Sequence, residues 1–393
     1  MLHGLLITCN ADTTELLGRV IRTSGQITLD RFFSPPPNPY QLTTALQTLP
    51  IDVVYLDAGS DIAQLIADQV RRDYPGIALI GFSTTSLEAV PKTLTDFSLE
   101  LPLSVDGLLA TTRKAICATL RGPFSRVVAI LPSKAGCGAS TIAMNLAAHS
   151  ARLDRRVILI DGDLRSGAIG DCLGISSLVP LAETLSLADV AAQLIWPRHV
   201  SQKEGVDCLL TDRNPRLPRP AWHSYYHLLR FLDDRYDQVL VDLPELTNDA
   251  TSFILQYASN VYLVAAPEPL SLKLAQQRLG ELGDAGVASE RIGVLINRWE
   301  RGFLTANDIT QALGHQVRGV FPNDYRLVTA AVHKNTFVPA KTRLGDAYRA
   351  FTTNLISDQQ KSECFPQARP VEPALLAQKS RLAALRTYFN WER

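Results

Sequence analysis

No CxxC pair occurs among the six cysteines (Cys9, Cys117, Cys137, Cys172, Cys208 and Cys364), and their spacing follows no disulfide framework. Scattered, reduced thiols in a reducing compartment are the expectation. No uninterrupted apolar run is long enough to span a bilayer. The opening stretch, MLHGLLITCNAD, lacks a basic segment, a long apolar run and a small-residue cleavage site. It reads as a first strand and not as a signal peptide, and a cytoplasmic protein is expected. An excess of one charge is missing too: 39 Lys and Arg balance 39 Asp and Glu. That removes any global electrostatic case for nucleic acid. The balance is uneven, because residues 1–120 hold eight basic side chains against twelve acidic ones, while 374–391 hold Lys379, Arg381 and Arg386 with no acid.

What is present suits two domains and a tail. The chain has 393 residues, of which 46% are hydrophobic and 20% charged, enough for ample cores. Residues 1–120 alternate strand-like segments (HGLLIT, DVVYLD, IALIGFST) with helix-like ones (DTTELLGRVIRTSG, DIAQLIADQVRRDYPG, SVDGLLATTRKAICATL). That alternation predicts a parallel sheet covered on both faces, with SPPPNPY as an internal loop. A Gly/Pro joint at 121–125 separates it from a second α/β series over 126–355. There, strands are predicted at 126–131, 156–161, 207–211, 237–242, 260–266, 291–297 and 316–321. Helices are predicted at 140–153, 183–196, 220–234, 248–257, 270–284 and 305–313. The fold class is α/β: a flavodoxin-like, doubly wound domain followed by a larger parallel sheet. A polar linker is expected over 356–373. Over 374–393 a basic amphipathic helix is expected, with Leu375, Leu382, Leu385 and Phe389 on one stripe. Docking on its own core, a partner protein, or an anionic membrane would each suit that helix; its small net charge favours the first two.

The stretch LPSKAGCGAST, between an apolar run and a helix-like segment, has the form of a phosphate loop. Against the pattern G-x-x-x-x-G-K-[ST], Gly138 and Ser140 fit, whereas Ser133 stands at the first glycine and Ala139 at the lysine. A dinucleotide fingerprint fits no better, since Thr141 stands where the third glycine belongs. Main-chain N–H groups of Gly136, Cys137, Gly138, Ala139, Ser140 and Thr141 still meet at a helix N-terminus, an anion site by geometry and dipole. The Ser140 hydroxyl suits Mg²⁺, and Thr141 the α-phosphate. Losing one hydrogen bond to a charged group costs roughly 1.5–3 kcal/mol, or about ten- to a hundredfold in affinity. Such a loss weakens a site without abolishing it.

Lys134, five residues before Ala139, makes a resemblance specific. SKAGCGAST resembles the deviant Walker A loop of the ParA/MinD ATPases, usually KGGVGKTT, and its G-A-S-T ending is similar to the TadZ/CpaE pilus-assembly branch. VILIDGDLRSGAIGDCLGI resembles that branch's strand and switch I, and YDQVLVDLPE its Walker B strand. NVYLVAAPEPLSLKLAQQRL, IGVLINRWERG and FPNDYRLVTAAVHKNTFVPA resemble the later strands and the closing I-P-x-D segment. The likeness spans 125–350 and runs in the family's order.

This resemblance implies ATP and Mg²⁺ as cofactors. It assigns Mg²⁺ to Ser140, Asp161 and Asp242, the attacking water to Asp163, and γ-phosphate charge across a dimer interface to Lys134. Asn297, Arg298 and Pro322 would surround the base. Ala135 replaces a glycine that lets backbone approach phosphate, and Ala139 removes the main cation, which implies slow hydrolysis. The implied protein is a nucleotide-dependent homodimeric assembly or localisation factor of a Tad (Flp, type IVc) pilus or type II-like secretion system. It would be placed at a pole or the inner membrane face through partners from that machinery. Two rival expectations are a ParA-type DNA-partitioning ATPase, against which the neutral charge and missing lysine count, and a scaffold without nucleotide.

Residues 1–120 resemble a response-regulator receiver with Asp57 at the phosphoacceptor position and Thr84 or Thr85 as the switch threonine. Cys9 and Asn10 replace its acidic pair, Asp12 is a poor substitute, and Leu101 replaces its lysine. Without that electrostatic support, a pseudo-receiver used for dimerisation or localisation is expected. His223 and His227 lack the Glu of a zincin motif and read as surface or interface residues. Arg213, Arg216 and Arg219 read as a solvated loop. Cys137, beside a helix N-terminus, is expected to have a lowered thiol pKa.

Overall fold

The computed structural model describes residues 1–9, 11–83, 90–99, 103–120, 122–187, 196–212, 220–246, 248–300 and 304–364. Asn10, Thr84, Thr85, Leu101, Arg213, Arg216, Arg219 and the expected helix over 374–393 lie outside them. The chain divides into two compact units, Met1–Gly122 and Pro123–Arg393.

In the first unit, β1 (Leu2–Ile7), β2 (Ile27–Phe33), β3 (Val53–Asp57), β4 (Ala78–Phe82) and the short β5 (Phe97–Ser98) form one sheet in the order β2-β1-β3-β4-β5. All its pairings are parallel. This is the flavodoxin-like order of a doubly wound sheet. The largely apolar runs of β1 and β3, interrupted only by His3 and the terminal Asp57, are what two-sided burial requires. The edge strand β2 and the helix Pro39–Thr48 are not among the segments expected from sequence. The sequence ITLDRFF carries charge where an edge strand meets solvent, and the helix starts from a capping box at Asn38 just after the proline cluster.

The second unit is an eight-stranded sheet ordered β13-β12-β11-β6-β10-β7-β9-β8. Its strands are β6 (Phe124–Pro132), β7 (Val157–Asp161), β8 (Ser201–Lys203), β9 (Val206–Leu209), β10 (Gln238–Asp242), β11 (Ala258–Ala265), β12 (Ile292–Trp299) and β13 (Val317–Pro322). Every pairing is parallel except the edge pair β8–β9. Val128, Ile130, Leu240 and Val264 face one hydrophobic cluster with the helices Ala139–Ala151 and Arg343–Cys364. The alternate residues Val127, Ala129, Val239 and Leu263 are equally buried, so both faces are covered.

The helix Arg343–Cys364 runs into the stretch 356–373 expected to be a linker. Leu344, Tyr348, Phe351, Leu355 and Gln359 are buried and recur at helical spacing. The polar run Ser357–Lys361 therefore continues a packed helix. The helix expected at 183–196 is described over Leu181–Leu187. Among the described residues, no helix is long and apolar enough to cross a membrane.

Candidate functional site

The site lies at the C-terminal edge of the central strands β6, β10 and β7, where open α/β sheets bind ligands. β6 ends at Pro132 and the loop 133–138 leads into the helix Ala139–Ala151. Gly136 has φ +78° and Gly138, the helix N-cap, φ +94°. Both lie in the left-handed region that glycine tolerates. A Cβ at Gly138 would also collide with the Asn297 amide, so this turn has room only for glycine.

The position of the usual first glycine is filled differently. Ser133 is buried, its N–H donates to the Val264 carbonyl at 2.8 Å, and its Oγ lies 3.0 Å from Ser271 Oγ. A hydroxyl pair thus ties the loop to the strand and helix beside it. Ala139 is 5% exposed, with its methyl in the hydrophobic cluster.

The tip of β12 holds the loop from its carbonyl side. Asn297 Nδ2 donates to the Cys137 carbonyl at 2.9 Å, and Arg298 Nη2 to the Gly136 carbonyl at 2.8 Å. Arg298 has φ +56° beside a register shift between Ile296 and Trp299, a strained conformation that aims it at the loop. Asn297 and Arg298, expected at the base, therefore meet the loop itself. Pro322 closes β13 and pairs with Trp299.

On the amide side, Ala135 N–H donates to Glu245 Oε2 at 2.8 Å, and Lys134 Nζ lies 3.5 Å from Glu268 Oε2. Neither glutamate was identified from sequence. Glu245 stands three residues beyond Asp242, but no spacing rule links it to Ala135.

Asp161 and Asp242 end β7 and β10 side by side, 1% and 3% exposed. Asp161 Oδ2 accepts from Ile169 N–H at 3.2 Å. Ser140 lies close enough to Asp242 to favour its charged form. Asp242 Oδ1 has no hydrogen-bond partner among the described residues. Burial foremost, then the neighbouring Asp161 charge and, more weakly, Asp163, push the Asp242 carboxyl well above the usual carboxylate range, against the lowering effect of Ser140. A buried carboxylate pair with an orphaned oxygen fits a divalent cation. Among the described residues no group of three or more His, Cys, Asp or Glu is placed to hold a metal. Mg²⁺ retains several waters and shares phosphate oxygens, so two carboxylates and a hydroxyl suffice.

Asp163 is half-buried and caps its own turn, its Oδ1 accepting from Arg165 N–H (3.1 Å) and Ser166 N–H (2.9 Å). Thr141 lies in the first turn of the helix, and its carbonyl accepts from Asn145 Nδ2 at 2.8 Å.

Two expectations are corrected. Cys137 is 1% exposed and donates to the Val264 carbonyl, and burial pushes its thiol pKa up despite the nearby amides. His223 is 5% exposed and packs edge-on against Trp222, inside the protein and not on its surface. In the first unit, Asp57 is 2% exposed, and its carboxylate accepts from Cys9 N–H (3.1 Å) and Gly59 N–H (2.9 Å).

No protein-family model matches the chain. The septum site-determining protein MinD of Thermotoga maritima is 24% identical over 223 residues, spanning 54% of this chain and 80% of its own length. An uncharacterized ATP-binding protein of Methanocaldococcus jannaschii is 26% identical over 216 residues, 54% of this chain and 80% of its own. Among solved structures, a ParA family ATPase from Chlorobium tepidum superposes with TM-score 0.54 at 20% identity, covering 58% of this chain and 99% of its own. The MinC:MinD cell division complex of Aquifex aeolicus gives TM-score 0.51 at 18% identity, covering 63% of this chain and 98% of that one. The chain is thus homologous, at low identity, to the MinD/ParA-family P-loop ATPases, and shares their parallel-sheet fold over about 58% of its length.

Proposed function

We propose that this MinD/ParA homologue binds ATP with Mg²⁺, dimerises in response, and serves as a localisation or assembly factor of a Tad (Flp, type IVc) pilus or type II-like secretion system. The observation that carries the nucleotide reading is the buried Asp161–Asp242 pair beside Ser140, at the mouth of a loop whose glycines adopt left-handed turns. Main-chain amides of Gly136–Thr141 would hold the phosphates, and Ser140, Asp161 and Asp242 the metal. Mg²⁺ would supply charge neutralisation at the phosphates. Asn297 and Arg298 keep the loop's carbonyls turned outward, and Pro322 borders the base side. Lys134, held to Glu268 in the single chain, would be released to a partner subunit's nucleotide. Asp163 would orient water once its turn opens. With Ala139 in the lysine position, turnover would be slow and the bound state long-lived. The first unit would act as a pseudo-receiver that supports dimerisation, its Asp57 carboxylate already committed to Cys9 and Gly59 amides.

Thermal unfolding of the full chain tests the nucleotide reading. A ligand at a hundredfold over its Kd stabilises by about 2.7 kcal/mol. ATP with Mg²⁺ is expected to raise the melting temperature of wild type but not of Asp242→Ala, and an unshifted wild type would favour the scaffold reading. The pilus reading is supported by the G-A-S-T loop ending and the flavodoxin-like first unit. Deleting the gene in its native host should remove surface Flp pili, restored by wild type and not by Asp242→Ala; undiminished pili would refute this assignment.

A further inference from the structure

Two carboxylates guard the head of the phosphate loop, and one of them sits on an amide. Glu245 Oε2 accepts from Ala135 N–H at 2.8 Å. A carboxylate oxygen is an anionic acceptor with the hydrogen-bond length of a phosphate oxygen, so it occupies the place a phosphate oxygen would take. The loop has a direction. Ser140, beside Asp242, would mark the metal end, and Thr141, in the first turn of the helix, would face the inner phosphates. Ala135 lies five residues before Ser140, at the opposite end of the loop, where the outermost phosphate of a triphosphate would lie if Ser140 takes the metal. Glu245 reaches it from the segment that follows the metal-site Asp242, so its position is set by the same strand end.

We propose that Glu245 sets the nucleotide preference of this site: its carboxylate competes with a terminal phosphate for the Ala135 amide, so a nucleoside diphosphate enters without displacing it and a triphosphate does not. The proposal rests on the nucleotide reading given above. Two effects oppose the triphosphate, the charge-assisted hydrogen bond that must break and the repulsion between two anions at contact distance. Neither acts on a diphosphate that ends short of Ala135. With no lysine after Gly138 to offset that repulsion, the carboxylate weighs more here than in a loop that has one.

The test is calorimetric titration of the full chain with ADP and with AMPPNP, each with Mg²⁺, for wild type, Glu245→Gln and Glu245→Ala, with melting curves to confirm that the variants fold. The expected result is AMPPNP binding about tenfold tighter in both variants, with ADP changed less than twofold. Equal gains for the two nucleotides would mean only a general loss of negative field, and would overturn the proposal. So would weaker AMPPNP binding, which would make Glu245 an organiser of the site. If nucleotide binds but its preference is unmoved, only this proposal falls. If neither nucleotide binds any of the three proteins, the nucleotide reading falls and takes the proposal with it.

Discussion

Asp161 and Asp242 are register partners on adjacent parallel strands, each the last residue of its strand and each almost wholly buried. Two acids so placed repel, and the raised Asp242 pKa reports that burial and repulsion. Above the ordinary carboxylate range near about 4, the unfolded chain releases this proton before the native one does. Stability of the second unit therefore falls as pH rises from there through the raised native pKa. Asp242→Asn removes the charge. It should flatten that slope in urea titrations across pH, stabilise the ligand-free protein by about 1–3 kcal/mol near neutral pH, and abolish stabilisation by Mg²⁺ with ATP.

Gly138 and Gly136 separate strain from collision. Both have left-handed φ, yet a Cβ at Gly136 meets open space while one at Gly138 meets Asn297. Gly136→Ala should cost about 1 kcal/mol and Gly138→Ala about 3 kcal/mol or more, by chemical denaturation. Asn297→Ala in the Gly138→Ala background should recover only the steric part.

Ala139→Lys restores the cation that the loop lacks. Nucleotide affinity should rise about tenfold or more. Because Ala139 lies in the hydrophobic cluster, the ligand-free variant should melt below wild type. Fluorescent-nucleotide titration and melting curves check the two halves.

His149 gives the second unit a separate acid sensitivity. It is 2% exposed beside Tyr348, and its Nε2 has no hydrogen-bond partner among the described residues. Burial, helped by Arg152 and Arg349 and opposed by Asp346, lowers its pKa to about 4. The unfolded chain takes up a proton near pH 6.5 and the native chain only near pH 4. Stability is thus full above about 6.5 and lost as pH falls from there to about 4, on the order of 3 kcal/mol. His149→Gln should remove that acid limb in pH-dependent urea unfolding.

Much of this architecture is legible in the chain because parallel strands buried on both faces read as apolar runs. VILID, QVLVD and VYLVA stand out, and two of them end in the aspartates of the site. The edge strand β8 is the tripeptide SQK, whose pattern says nothing. The tail of the last helix reads as a linker because Ser357 and Asp358 are polar and exposed, whereas Gln359, a polar residue, sits on the buried stripe. Cys137 misled for a related reason: proximity to helix amides is visible in sequence, but burial, which dominates, is not. The contacts of Glu245 and Glu268 join residues more than a hundred positions apart through a backbone amide and a half-buried ammonium. No periodicity or motif encodes those.

Hydrogen–deuterium exchange of the loop amides tests most directly whether these amides hold a triphosphate without a lysine after Gly138. With ATP and Mg²⁺, residues 135–141 should become protected in wild type and remain unprotected in Asp242→Ala. Unchanged exchange at 135–141 in the presence of saturating nucleotide, or protection appearing only elsewhere in the chain, would contradict it.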